Sequence, residues 1–172
     1  MLSGKLGAKE TLLVYLPCYL DFPLAVKQAE KIREICENTV GQNNLEIKVM
    51  ISCNGVDFSE EEKRILSATC DWINIFPFGI SGDINITQGF MHAIRLEADY
   101  LWILSSNDSV SDNFVQTIVN NLIIKDGINI LVGCTSENLG NRKVQSVFDP
   151  KNRDIPFGLI SSVVYRTKNM NK

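Results

Sequence analysis

The chain predicts an α/β fold: a mostly parallel central sheet with helices on both faces. Three observations carry this. Short β-rich apolar runs alternate with segments of helical spacing in the order β-α-β-α-β-α-β-α-β. Turn and cap residues fall between them. The 172 residues amount to a single domain's length, enough to bury roughly 70% of the surface the unfolded chain exposes.

Thr11 to Leu16 (TLLVYL) reads as the first strand, ended by Pro17. Asp21, Phe22 and Pro23 open a helix, with Ala25, Ala29, Ile32 and Cys36 on one face and charges on the other. Gly41 to Asn44 is a polar turn, and Leu45 to Ser52 is the second strand. Ser59 with Glu62 forms a capping box, so a second helix starts there and runs to about Cys70. Trp72 to Phe78 is the third strand, followed by a flexible loop containing Gly79, Ser81 and Gly82. Asn85 to Glu97 reads as a helix with Ile86, Phe90, Ala93 and Ile94 inward. Tyr100 to Leu104 is the fourth strand and ends in the polar run Ser105 to Ser109. Ser111 caps a further helix that Gly127 ends, and Ile128 to Cys134 is the fifth strand. Ser136 to Arg153 is polar and reads as a loop or an edge hairpin, and Ile155 to Tyr165 is apolar again.

Composition narrows the function classes. Hydrophobic residues make up 45% and charged residues 22%, as in an ordinary globular domain. With 20 acids and 17 bases the net charge is −3, so no basic field exists to hold a nucleic-acid backbone. No apolar run approaches the ~20 residues of a membrane helix, and the first ten residues do not read as a secretory signal. Peripheral membrane attachment needs no spanning segment. The five cysteines contain no CxxC pair and read as free thiols in a reducing cytoplasm. His92 is the only histidine, and a lone helical histidine is more often packed or solvated than catalytic. Walker, GxGxxG and GxSxG motifs are absent.

Ligands of open parallel sheets bind beyond the carboxyl ends of the strands. In this chain those ends carry Pro17-Cys18-Tyr19, then Ser52-Cys53-Asn54-Gly55, then GISGDIN from Gly79, then SSNDS from Ser105. These ends are small, polar or glycine-containing. That suits loops closing on a ligand, although many sheets have polar ends without a site.

The same segments resemble the N-terminal, nucleotide-sugar-binding half of a family 2 glycosyltransferase of GT-A fold. LLVYLPCYLDFPLAVKQAEKI resembles that family's first strand, Pro-x-Tyr turn and helix. IKVMISCNGVDF resembles its second strand and the Asp-Asn-Gly-Ser type turn. GDINITQGFMHAIRLEADYLWILSSNDSV resembles its Gly-Asp-x-Asn loop, helix and strand leading to the acidic DxD motif, and GLISSVVYR its crossing toward the acceptor side. Asp83-x-Asn85 and Tyr100-Leu101-Trp102 look closest to abequosyltransferase-like and capsular polysaccharide enzymes.

The resemblance implies transfer of a sugar from a nucleotide-diphosphate sugar to a glycan or lipid-linked acceptor. It implies a cytoplasmic protein, in some cases peripheral at the inner face of the membrane. Pro17, Tyr19, Cys53, Asn54, Asp83 and Asn85 would line the nucleotide. Asn107 and Asp108 would hold a divalent cation, Mg²⁺ or Mn²⁺. Two departures matter. Cys53 stands where the family has Asp, so Asn54 would accept from the base in its place. The DxD positions fall on Ser105 and Asn107 or on Ser106 and Asp108, leaving one carboxylate and a weak, nucleotide-dependent cation. The resemblance assigns no catalytic base, and residues 1–172 read as one donor-binding domain without the acceptor half. The rival expectation is a non-catalytic nucleotide-sugar-binding or regulatory module with a degenerate DxD motif.

Overall fold

A computed structural model of the chain describes residues 9–20, 22–39, 45–55, 57–105, 130–131, 145–146 and 163–167. The elements run β1 (Glu10–Tyr19), α1 (Phe22–Thr39), β2 (Leu45–Asn54), α2 (Glu60–Thr69), β3 (Trp72–Phe76), α3 (Gly82–Arg95), β4 (Tyr100–Ile103), β5 (Ile130–Leu131), β6 (Gln145–Ser146) and β7 (Val163–Arg166). They form one sheet in the order β3-β2-β1-β4-β7-β5-β6. The first four of these are mutually parallel. β7 pairs antiparallel with both β4 and β5, and β6 pairs antiparallel with β5. The expected mostly parallel α/β sheet is therefore present. The helix expected between Ser111 and Gly127 lies outside the described residues.

Strand alternation sorts the core into two layers. Leu12, Val14, Leu16 and Cys18 of β1 face α1 and α2, packing with Ala25, Ala29, Ile32, Val49, Ile51, Leu66 and Trp102. Leu13 and Tyr15 face the other way, toward α3, with Met50, Ala93, Leu101 and Ile103. Burying a large apolar side chain such as Leu13 or Ile103 contributes about 1.5–3 kcal/mol, so β1, buried on both faces, anchors the domain.

At the amino edge of the sheet one device appears twice. Asp71, just before β3, donates its backbone N–H to the Val49 carbonyl and accepts from the Val49 N–H through its carboxylate, both at 2.8 Å. Asp99, just before β4, does the same to Thr11, at 2.9 and 3.0 Å. Each aspartate thus adds a side-chain rung that sets the register of its strand against a neighbour. Lys48 and Arg33 each approach the Asp71 carboxylate to 3.6 Å.

Several boundaries differ from the sequence expectation, β2 among them, which runs past Ser52 to Asn54. β1 does not end at Pro17 but runs through it to Tyr19. The Leu104 N–H donates to the Tyr15 carbonyl, so residue 15 points its backbone groups at β4. Residue 17 points them the same way, where the pairing with β4 has already ended at Tyr15↔Ile103. The N–H that proline lacks has no ladder partner to lose there. β3 stops at Phe76 rather than Phe78, because Pro77 and Phe78 turn outward. α3 begins at Gly82, not Asn85, because Ser81 caps it by accepting the Ile84 N–H. α3 closes with Glu97 at φ 52°, and the Ala98 N–H donates to the Ala93 carbonyl. That is a left-handed helix cap carried by a residue other than glycine. Among the described residues no helix is long and apolar enough to cross a membrane.

Candidate functional site at the carboxyl edge of the sheet

β1 pairs with β2 as far as Tyr19↔Asn54, but with β4 only as far as Tyr15↔Ile103. Leu16 to Tyr19 therefore project past the end of β4. The chain winds outward from β1 to β2 and β3, then returns to place β4 on the other side of β1. This is the reversal of strand order at which open α/β sheets form a crevice. Its described walls are the end of β1, the turn after β2, the loop from Pro77 to Ser81, the first turn of α3 and Ser105.

Of the residues expected there, Tyr19 is exposed and borders the crevice, and Pro17 is half-buried below it. Asp83 is exposed in the first turn of α3. Asn54 is buried with its carboxamide paired to one residue: its Nδ2 donates to the Ile80 carbonyl and its Oδ1 accepts the Ile80 N–H, both at 2.5 Å. Cys53 lies on the opposite, α1/α2 face of the sheet, fully buried, paired in register with Cys18. The hydrogen bond to Cys18, reinforced by burial, pushes the Cys53 thiol far above its ordinary range. Burial pushes nearby Cys70 up to about 11. Both therefore stay neutral thiols. Asn107 and Asp108 lie outside the described residues.

Asn85 is also buried, and its carboxamide is engaged within the protein. Its Oδ1 accepts from the Tyr15 hydroxyl at 2.8 Å and from the Ser52 hydroxyl at 2.6 Å. Its Nδ2 donates to the Ser52 carbonyl at 3.3 Å, and its own carbonyl accepts from Tyr15 at 2.9 Å. Burial, partly opposed by the Ser52 hydrogen bond, pushes Tyr15 up to about 12, so the phenol remains a donor. One turn along α3, Gly89 lies against the Tyr15 ring, where a Cβ would come within 2.8 Å of Cδ1. Asn85 and Gly89 thus seat α3 on β1 and β2 and fix where its amino end stands at the crevice. Sequence reasoning missed Gly89. The signal was its spacing of one helical turn from Asn85.

Two glycines occupy the backbone beyond the ends of β2 and β3. Gly55 and Gly79 have φ of 77° and 75°, and both donate their N–H to the Phe76 carbonyl. A Cβ on Gly55 would sit 3.1 Å from the Tyr19 ring, and one on Gly79 would sit 3.9 Å from the Gly55 Cα. Tyr19 and Phe78 are both exposed, and the Tyr19 ring lies against Gly55. Leu20 leaves β1 at φ 55°, a conformation that costs a non-glycine residue about 1 kcal/mol or more.

Among the described residues no group of three or more His, Cys, Asp or Glu is placed to hold a metal ion.

No family model and no curated protein matches the chain. Solved structures do. S. aureus TarS matches over 94% of this chain and 29% of its own, at 14% identity and a TM-score of 0.58. TarS 1–349 in complex with UDP matches over 94% of this chain and 48% of its own, at 14% identity and a TM-score of 0.59. A Desulfovibrio desulfuricans G20 protein described as a nucleotide-diphospho-sugar transferase matches over 93% of this chain and 64% of its own, at 10% identity and a TM-score of 0.50. TarS 1–349 has also been solved in complex with UDP-GlcNAc. The chain spans less than two thirds of each of these structures. The likeness establishes the fold that these structures share.

Proposed function

We propose that this chain is the donor-binding part of a glycosyltransferase. Its ligand is a nucleoside diphosphate-sugar, and the sugar passes to a glycan or lipid-linked acceptor, as in the capsular and abequosyltransferase-like enzymes that the sequence resembles. The reaction displaces the nucleoside diphosphate from the anomeric carbon, and the acceptor hydroxyl forms the new bond. The observation that supports this reading is the crevice left where β1 outruns β4 at the reversal of strand order. Its walls offer an exposed tyrosine, two glycines at close approach and a rigidly seated helix start. The fold similarity to TarS, solved with UDP and with UDP-GlcNAc, supports the same ligand class.

In this reading Tyr19 and Pro17 form the wall against the base and ribose. Asp83 faces the nucleotide from the amino end of α3. Asn54, Asn85 and Cys53 act behind the surface, through the groups they hold. A divalent cation enters only with the diphosphate, on Asp108 with Asn107 beside it. A single carboxylate leaves too little charge to hold it alone. We place the protein in the cytoplasm, where it meets its donor, with the acceptor presented at the inner face of the membrane.

Thermal denaturation with a panel of UDP, GDP, CDP, ADP and UDP-sugars tests this. A ligand at a hundredfold excess over its dissociation constant adds about 2.7 kcal/mol of stability. A clear rise with at least one nucleoside diphosphate is the expected result. No rise with any of them overturns the reading.

A further inference from the structure

Asn54 closes a two-point clamp on Ile80. Its carboxamide meets the backbone N–H and C=O of one residue as a neighbouring strand would. β3 has ended at Phe76, so the clamp substitutes for the ladder just where the ladder stops. It holds the loop from Pro77 to Ile80 down on the end of β2. Gly79 is pressed against Asn54 and Gly55, with a would-be Cβ at 3.7 Å from the Asn54 Oδ1. Both glycines take a positive φ that other residues resist. The result is a stretch of glycine backbone at the end of β2, with the exposed Tyr19 ring against Gly55.

We propose that Asn54 is a positioning residue for nucleotide binding: it clamps the Pro77–Ile80 loop so that the glycine backbone at Gly55 and Gly79, beside the Tyr19 ring, is held in place for a planar base. This rests on the nucleotide reading above and sharpens it. The Asn54 carboxamide gives one N–H and one acceptor direction to Ile80, and burial to 3% exposure keeps the rest of it from a ligand at the surface. Asn54 therefore supports the base without reading its edge, and the contribution it makes is the same for every base.

The test measures dissociation constants of UDP, CDP and GDP for the full chain and for Asn54→Ala, Asn54→Asp and Gly79→Ala. The clamp predicts that Asn54→Ala weakens all three by a common factor of about tenfold or more. Asn54→Asp keeps the acceptor for the Ile80 N–H but sets a carboxylate against the Ile80 carbonyl, so it also weakens all three together. Gly79→Ala leaves Asn54 in place and disturbs the same backbone, so it repeats the pattern without touching the buried residue. Hydrogen exchange at the Ile80 amide gives a reading without ligand: slow in the wild type and fast in Asn54→Ala. If Asn54→Asp tightens UDP and GDP, whose bases present a ring N–H, while weakening CDP, then Asn54 reads the base and the proposal is wrong. Unchanged affinities, or an unprotected Ile80 amide in the wild type, also overturn it. A wild type that binds none of the three overturns the nucleotide reading itself, a different result from any of these.

Discussion

The Tyr15 hydroxyl stands 2.8 Å from the Asn85 Oδ1, tying the middle of β1 to the first turns of α3 across 70 residues of sequence. Ser52 from β2 closes the triangle at 2.6 Å. All three residues are buried, so the energetic question is what each removal leaves unpaired. Tyr15→Phe deletes one donor, while Asn85 keeps its bonds to Ser52. It should cost about 1 kcal/mol. Asn85→Ala removes the acceptor that the two hydroxyls share and the donor to the Ser52 carbonyl, leaving Tyr15 only the backbone carbonyl of residue 85, and should cost about 2–3 kcal/mol. Urea unfolding of the two variants checks the order. Equal losses would mean that the carboxamide does not organise the triangle.

Gly89→Ala sets two effects in opposition. Alanine gains about 1 kcal/mol of helix propensity over glycine. Its Cβ would meet the Tyr15 ring at 2.8 Å, against a side chain held by two hydrogen bonds. Overpacking of a fixed ring costs about 1–3 kcal/mol. The clash should prevail, with a net loss of stability and weaker nucleotide binding as α3 lifts at its start. Pairing Gly89→Ala with Tyr15→Leu, which frees the space, should recover part of the loss.

Local signals were legible in the sequence and long-range ones were not. The Ser59–Glu62 capping box could be read because both partners lie within one turn, and both of its reciprocal bonds are present. Asn85 reads as a helix start and Gly89 draws no notice, because only the distant Tyr15 makes their face an inner one. Pro17 read as a strand end. Whether proline ends a strand depends on which neighbour its missing N–H would have served, and β4 is too short to need it. The sequence expectation has Asn54 and Asn85 facing a ligand, whereas both are buried and bonded within the protein, and such bonds are invisible in sequence. Asp71 and Asp99 each precede an aromatic strand start, a repeat that could have flagged the register clamps.

His92 makes stability depend on pH. Burial, aided by the Arg95 charge, lowers its value below the ordinary 6.5, and its Nε2 lies 3.1 Å from the Asn74 Nδ2. The unfolded chain therefore takes up the proton first. The contribution of neutral His92 is complete above about pH 6.5 and declines as the pH falls through the lowered folded value. His92→Gln should flatten the fall in stability between pH 7.5 and 5.5, measured by urea unfolding at both. A fall as steep as that of the wild type would show that His92 does not cause it.

The cation prediction follows from charge. With Asp108 as its one carboxylate, the sequence SSNDS should bind Mn²⁺ only when a nucleoside diphosphate supplies the remaining negative ligands. Calorimetry should find little Mn²⁺ binding to the protein alone, a Mn²⁺-dependent gain in UDP affinity, and loss of that gain in Asp108→Asn. Asn107→Asp should enlarge it. Tight Mn²⁺ binding without nucleotide would contradict this assignment.

The central claim is that a nucleoside diphosphate binds at the carboxyl edge of the sheet, between the end of β1 and the loops after β2, β3 and β4. Backbone amide chemical shifts during titration with UDP test it directly, because the two edges of the sheet carry separate reporters. The account predicts saturable shifts at Tyr19, Gly55, Gly79, Ser81 and Ser105, with Thr11, Asp71 and Asp99 at the amino edge unmoved. Shifts confined to the amino edge, or no shifts at millimolar UDP, would contradict it.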